Sequence, residues 1–146
     1  MINVNDLMTT NLYTLSENDT LRTARLAMAE HRIRHIPIVD ADNRFLGILT
    51  QRDVLALTVS SLADMDAEER EALDTNITLR EVMSRNALTV DAKTSLREAA
   101  GLMLERKIGC LPVVTGDYLI GILTEADFLK LVVHLVDRIE ELGEEY

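Results

Sequence analysis

Gly47-Ile48-Leu49-Thr50-Gln51-Arg52-Asp53 and Gly121-Ile122-Leu123-Thr124-Glu125-Ala126-Asp127 are two copies of one pattern, Gly-Ile-Leu-Thr-x-x-Asp. In each copy an apolar β-type run meets a Thr and then an amphipathic segment, which predicts a strand running into a helix. Upstream the copies stay in register. At an offset of 75, Met8 falls on Met83, Thr14 on Thr89, Leu21-Arg22 on Leu96-Arg97, Met28 on Met103, Pro37 on Pro112 and Val39 on Val114. One residue fewer near Gly116 changes the offset to 74, and the two Thr-x-x-Asp motifs then coincide. The chain therefore holds an internal duplication of about fifty residues per copy, too long a unit and too few copies for a solenoid.

Each copy reads as β-α-β-β-α. Asn3 or Asn5 can cap a short turn over residues 3–8, and Thr78-x-x-Glu81 ahead of the second copy is a capping box. Brief extended pieces follow, Leu12-Tyr13-Thr14-Leu15 and Ala87-Leu88-Thr89-Val90. Leu21, Ala24 and Met28, matched by Leu96, Ala99 and Met103, then recur at helical spacing, with Ser95-x-x-Glu98 a further capping box. His35-Ile36-Pro37-Ile38-Val39 and Cys110-Leu111-Pro112-Val113-Val114 are strands whose Pro belongs near an edge or a strand start. Phe45–Leu49 and Tyr118–Leu123 return as second strands, and helices begin after Thr50 and Thr124. The fold class is mixed α/β (α+β). Residues 1–57 form repeat 1, 58–76 an acidic and partly helical connector, 77–131 repeat 2, and 132–146 a helical extension.

A chain of 146 residues, 47% hydrophobic, can bury a sizeable core, which the duplication predicts is shared by two half-domains. No run approaches the roughly 20 apolar residues that span a bilayer, and the N-terminus has no charged-then-apolar leader pattern. A single cysteine, Cys110, excludes an intrachain disulfide and suits a reducing compartment, so the expected location is the cytoplasm. The formal charge of −10 argues against nucleic acid and anionic membrane as partners. That excess acid sits in the connector (−5) and the tail (−4), while repeats 1 and 2 come to −1 and 0. An anionic small ligand within the repeats is therefore compatible with the total.

Two copies of Met-Thr/Ser, a Thr-bearing extended piece, an amphipathic helix, hydrophobic-Pro-hydrophobic-Val and Gly-hydrophobic-hydrophobic-Thr-x-x-Asp resemble a pair of cystathionine-β-synthase (CBS) domains, a Bateman module. The resemblance covers about residues 4 to 131. It implies two β-α-β-β-α units related by a pseudo-twofold axis, with adenosine-containing ligands in clefts between them. It further implies that Asp53 and Asp127 hold ribose and that Thr50 and Thr124 lie near phosphate. The base would sit against Thr14, Ile36 and Pro37, and against Thr89, Leu111 and Pro112. Chemistry agrees with these roles, since an ionised carboxylate only accepts hydrogen bonds and suits paired ribose hydroxyls. A helix start after each Thr offers unpaired N–H groups to phosphate. The same motif has a plainer reading, a capping box with Asp in the third helical position.

The copies differ in charge. Arg34, His35 and Arg52 of the first are matched by Gly109, Cys110 and Ala126 in the second. By resemblance they are candidates for phosphate; as residue types they equally suit a solvated surface. His31, His35 and His134 share no metal-ligand spacing, and no catalytic motif is present, so neither a metal site nor an enzyme is expected. The function expected is regulatory: energy or metabolite sensing through AMP, ADP or ATP, with S-adenosylmethionine and NAD as alternatives, acting on an unidentified partner protein. The alternative is a ligand-independent dimerisation or scaffold module. A helical stripe of Leu131, Val132, Leu135, Val136, Ile139 and Leu142 needs an apolar cover, from its own chain or from a second copy. The resemblance, in which similar modules often pair through their helices, implies a homodimer.

Overall fold

Hydrogen bonds from capping side chains start the helices. The computed structural model describes residues 1–61 and 65–144. Asn3 and Asp6 exchange backbone and side-chain bonds around the 3-10 turn Val4–Asp6. The Thr20 hydroxyl accepts from the Thr23 amide to begin α1 (Leu21–His31), which buries Leu21, Ala24, Ala27 and Met28. β1 (His35–Val39) and β2 (Phe45–Thr50) pair antiparallel, with Ile36 opposite Leu49 and Pro37 opposite Ile48. α2 (Gln51–Ser61) follows directly, then α3 (Ala67–Asn76), capped by Asp66, and the single-turn α4 (Leu79–Val82), closed by the Thr78–Glu81 capping box. The second copy repeats the order with α5 (Leu96–Arg106), β3 (Cys110–Thr115), β4 (Tyr118–Thr124) and α6 (Glu125–Glu144). The shorter β3–β4 turn carries Gly116 at φ +59, a left-handed conformation that glycine adopts without a Cβ clash.

The first extended piece of each copy is not a full strand. Leu15 and Val90 each make a parallel bridge, to Ile38 and Val113. The Leu15 amide donates to Pro37 O at 3.2 Å and Leu15 O accepts from the Val39 amide at 3.0 Å. Residue 37 thus points its backbone towards this short bridge, where its missing N–H leaves few bonds unmade. That accounts for the proline at the third position of β1, which is an edge strand of its two-stranded sheet, as expected.

Two compact units result, and each takes its lead-in from elsewhere in the chain. The first-repeat unit comprises Tyr13–Ala87 with Asp117–Leu119; the second-repeat unit comprises Met1–Leu12, Leu88–Gly116 and Ile120–Tyr146. Within the first, Leu79 and Arg80 amides donate to Asp19 and Glu17 carbonyls (2.9 and 3.0 Å), and Ser84 and Ile48 exchange both backbone bonds at 2.9 and 3.0 Å. Within the second, Val4 and Asn5 amides donate to Thr94 and Ala92 carbonyls (2.9 and 3.0 Å), and Thr9 and Ile122 exchange bonds at 2.8 and 2.9 Å. Chain order assigns each lead-in to the copy that follows it. Contacts assign it to the other copy.

The single shared core expected from the duplication is instead two clusters. One holds Leu21, Ile36, Ile38, Leu49, Leu79 and Met83; the other holds Val4, Leu96, Met103, Leu111, Val113 and Leu123. Each lead-in contributes to the cluster of its unit, Leu79 and Met83 in one and Val4 in the other, so each unit closes over its own apolar face.

The acidic connector helix has a defined place. In α3, Glu71 and Asp74 pair with Arg22 and Arg25 of α1, both at 3.1 Å. Arg80 and Arg85 flank Glu17 at 3.0 and 3.2 Å, and their hydrogen bonds hold its carboxyl below the ordinary value. These pairs are partly exposed and orient more than they stabilise.

Gly47 and Gly121 admit the lead-ins. A Cβ on Gly47 would lie 2.6 Å from the Ser84 carbonyl oxygen, whereas one on Gly121 would meet the Met8 sulfur at 2.7 Å. A flexible thioether can swing away; a carbonyl fixed between two backbone bonds cannot. Gly47→Ala is therefore expected to destabilise by about 1–3 kcal/mol and Gly121→Ala by clearly less. Urea unfolding of the two variants checks the order, and equal losses would contradict it.

Candidate functional site

The Thr-x-x-Asp motif lies where β2 and β4 pass into α2 and α6. In the first-repeat unit the Thr50 amide donates to Asp53 Oδ2 at 3.1 Å, and the Asp53 amide donates to the Thr50 hydroxyl at 3.2 Å. The Gln51 amide donates to Arg34 O at 2.8 Å. Two first-turn donors expected to await phosphate are thus satisfied by the chain itself, because the capping reading of the motif also applies. Asp53 remains half-buried, and among the described residues no hydrogen bond reaches its Oδ1.

The second-repeat unit closes its motif further. Asp127 Oδ2 accepts from the Thr124 amide at 2.9 Å and the Thr124 hydroxyl at 3.3 Å, and Oδ1 accepts from the Thr9 hydroxyl at 2.9 Å. Asp127 is 6% exposed, the one buried charged residue among those described. Thr9 was not singled out from the sequence. The available signal was its alignment with Ser84, a hydroxyl after Met in both copies.

Around Asp53 the fold gathers the other first-copy candidates. His35 begins β1 opposite Thr50, Arg34 precedes it and is exposed, and Arg52 is exposed on the first turn of α2. Thr14 adjoins Leu15, which bonds to Pro37 O. Ile36 and Pro37 are fully buried, as are Leu111 and Pro112. Those side chains fill the cores, so what they can offer a base is backbone. Thr89, Leu111, Pro112, Thr124 and Asp127 come together in the same way in the second-repeat unit, where Val90 donates to Pro112 O at 3.1 Å. There Gly109, Cys110 and Ala126 stand in place of the basic residues, so the two sites differ in charge as well as in closure.

Cys110 packs as a small apolar residue. Burial, and secondarily the negative charge of Asp127, push its thiol from 9.0 up to about 12. Among the described residues no group of His, Cys, Asp and Glu could hold a metal ion, and no helix is long and apolar enough to cross a membrane.

The family model for the CBS domain matches residues 4–60 and 79–134, more than half of the chain. The chain belongs to the CBS-domain family as a tandem pair, each copy ending in a strand-to-helix Thr-x-x-Asp junction. The crystal structure of a putative acetoin utilization protein (AcuB) from Vibrio cholerae is similar, with a TM-score of 0.80 and 41% identity, covering 97% of each chain. So is CBSX2 from Arabidopsis thaliana in complex with AMP (TM-score 0.78, 27% identity, 92% of this chain and 98% of that one). The CBS domain pair of protein MJ0100 with 5′-methylthioadenosine and S-adenosyl-L-methionine matches at TM-score 0.75 and 25% identity, over 89% and 98%. Among curated relatives, hypoxic response protein 1 of Mycobacterium tuberculosis is 32% identical over 131 residues, 89% of this chain and 85% of that protein. The chain spans only 32% of uncharacterized protein MJ1404 of Methanocaldococcus jannaschii, at 32% identity and covering 90% of this chain. It spans 20% of a Methanococcus vannielii homoserine O-acetyltransferase, at 35% identity and covering 76% of this chain.

The raised thiol pKa has two consequences. Cys110 should resist dithionitrobenzoate at pH 8 in the folded protein and react once urea unfolds it. Because the fold prefers the neutral thiol, the stability this provides is complete below pH 9 and is lost as pH climbs towards 12. Cys110→Ala should show a flatter decline over that window, and equal slopes would refute the assignment.

Proposed function

We propose that this chain is a regulatory module that binds an adenosine-containing ligand and transmits its occupancy to another protein. The observation that carries the reading is the duplicated Thr-x-x-Asp junction, which presents a fixed carboxylate beside a Thr hydroxyl in both units. Similar structures contain AMP, or S-adenosylmethionine with methylthioadenosine, which supports the adenosine half as the common element. Asp53 and Asp127 would take the ribose hydroxyls, and Thr50 and Thr124 would lie near phosphate. Arg34 and Arg52 would add positive charge, and His35 an imidazole, beside Asp53 only. AMP, ADP and ATP fit that charge; S-adenosylmethionine and NAD share the nucleoside. A ligand regulates only through unequal affinity for two states of the module. We assign the chain no catalysis of its own and place it in the cytoplasm, which suits its reduced, buried thiol.

Thermal shifts with AMP, ADP, ATP, S-adenosylmethionine and NAD test the reading. A ligand at about 100 times its dissociation constant should stabilise by roughly 2.7 kcal/mol. Asp53→Ala combined with Asp127→Ala should abolish the shift while leaving the dichroism spectrum intact. No shift with any of the five would remove the sensing role. Arg34→Ala with Arg52→Ala should narrow the affinity gap between ATP and adenosine; equal losses for both would make these arginines structural.

One observation favours a dimerisation role beside the sensing role. From Val132 to Glu144 every residue of α6 is exposed, including Val133, Leu135 and Ile139 at 61%, 49% and 67%. Lys130 and His134 lie towards the start of the helix, and Glu140, Glu141 and Glu144 towards its end. An antiparallel pairing with α6 of a second copy would cover the stripe. Sedimentation equilibrium should give a dimer for the whole chain and a monomer for Leu135→Glu with Ile139→Glu. A dimer undiminished by those changes would free α6 of the role.

A further inference from the structure

The two motif carboxylates are equivalent in sequence and unequal in surroundings. Both oxygens of Asp127 accept hydrogen bonds, Oδ2 from Thr124 and Oδ1 from the Thr9 hydroxyl at 2.9 Å, and the residue is almost wholly buried. Asp53 is bonded at Oδ2 alone among the described residues and is half-buried. The difference does not come from the backbone. Thr9 is pinned to Ile122, and Ser84 to Ile48, by the same two-bond exchange. It comes from the residue after each Met: the Thr9 hydroxyl reaches Asp127, whereas the exposed Ser84 hydroxyl makes no bond to Asp53. Threonine is β-branched and stiff at χ1, so a hydroxyl aimed at the carboxylate stays aimed; serine rotates freely into solvent.

We propose that Thr9 sets the order in which the two carboxylates take ligand, by keeping Asp127 closed in the free protein while Asp53 stays open. The inference rests on the reading of both Asp residues as ribose acceptors. A ribose donates two hydroxyls, and at Asp53 one oxygen is ready for a new charge-assisted bond. At Asp127 the same bond must replace the one from Thr9, so the exchange gains little. Ligand fills the Asp53 position first. The Asp127 position fills when Thr9, and the β4 pairing that holds it, gives way.

Calorimetric titration with AMP tests this on the full chain. Two binding events at least roughly tenfold apart in affinity are expected, the tighter lost in Asp53→Asn and the weaker in Asp127→Asn. Thr9→Val, which keeps the shape and removes the hydroxyl, should tighten the weaker event by roughly tenfold and leave the tighter one within about twofold. Thr9→Ser should fall between, and Ser84→Ala should move neither event. Equal affinities in the wild type, or a weaker event unmoved by Thr9→Val, would overturn the proposal. A ligand-free double-mutant cycle separates this failure from that of the nucleotide reading. Thr9→Val with Asp127→Asn should couple by about fivefold or more in the unfolding constant, and Ser84→Ala with Asp53→Asn by less than about twofold. Absence of the first coupling overturns the closure whatever AMP does. Coupling without AMP binding at either carboxylate overturns the nucleotide reading and the filling order with it, and leaves Thr9 as a purely structural clasp.

Discussion

The paired backbone exchange between a lead-in segment and the second strand of the opposite copy is the constraint on which each unit rests. Ser84 and Ile48 make it in one unit, Thr9 and Ile122 in the other, at 2.8 to 3.0 Å. It is tightest at Gly47, where a Cβ would collide with the incoming Ser84 carbonyl, whereas at Gly121 a Cβ would chiefly meet the movable Met8 side chain. Once the exchange is made, Leu79 and Met83, or Val4, join the cluster that α1 or α5 lays over its strands. Two small two-stranded sheets are poor structures alone, and a third segment completes each of them.

The proposed ligand positions lie at the same ends of the sheets for a physical reason. A strand passing straight into a helix leaves the helix start with unsatisfied amides, and the Thr-x-x-Asp pattern satisfies most of them from within. What remains is a carboxylate in a fixed orientation. In one unit it is half-buried, with one oxygen that no hydrogen bond reaches among the described residues; in the other it is sealed by a residue from the lead-in. A duplicated motif thus yields two different sites without any change in the motif itself, and the arginines beside Asp53 add to the difference.

α6 is the one long element that serves no core beyond its first two turns. Its motif residue Asp127 is buried and Phe128 and Leu131 pack on the second cluster, yet the apolar positions after them face outward. An exposed stripe of this length marks an interaction surface more often than a solvated helix.

Much of this was legible in the sequence because it depends on near neighbours. Capping boxes act over three residues, helix faces repeat every three to four, and a duplication in register exposes both at once; Thr78–Glu81, Ser95–Glu98 and the burial of Leu21, Ala24 and Met28 followed from that. The strand that Cys110 opens was legible for the same reason. The tertiary structure decided what near neighbours cannot. The bond from Thr9 to Asp127 joins residues 118 apart, and the ion pairs that seat α3 on α1 join residues 49 apart. Which lead-in completes which cluster is likewise undetermined locally, since Met8 and Met83 occupy matching places in the two copies and either would suit either core. Periodicity and capping specify the elements. Only the folded backbone, with its close approaches at Gly47 and Gly121, specifies which copy each lead-in joins and which carboxylate is closed.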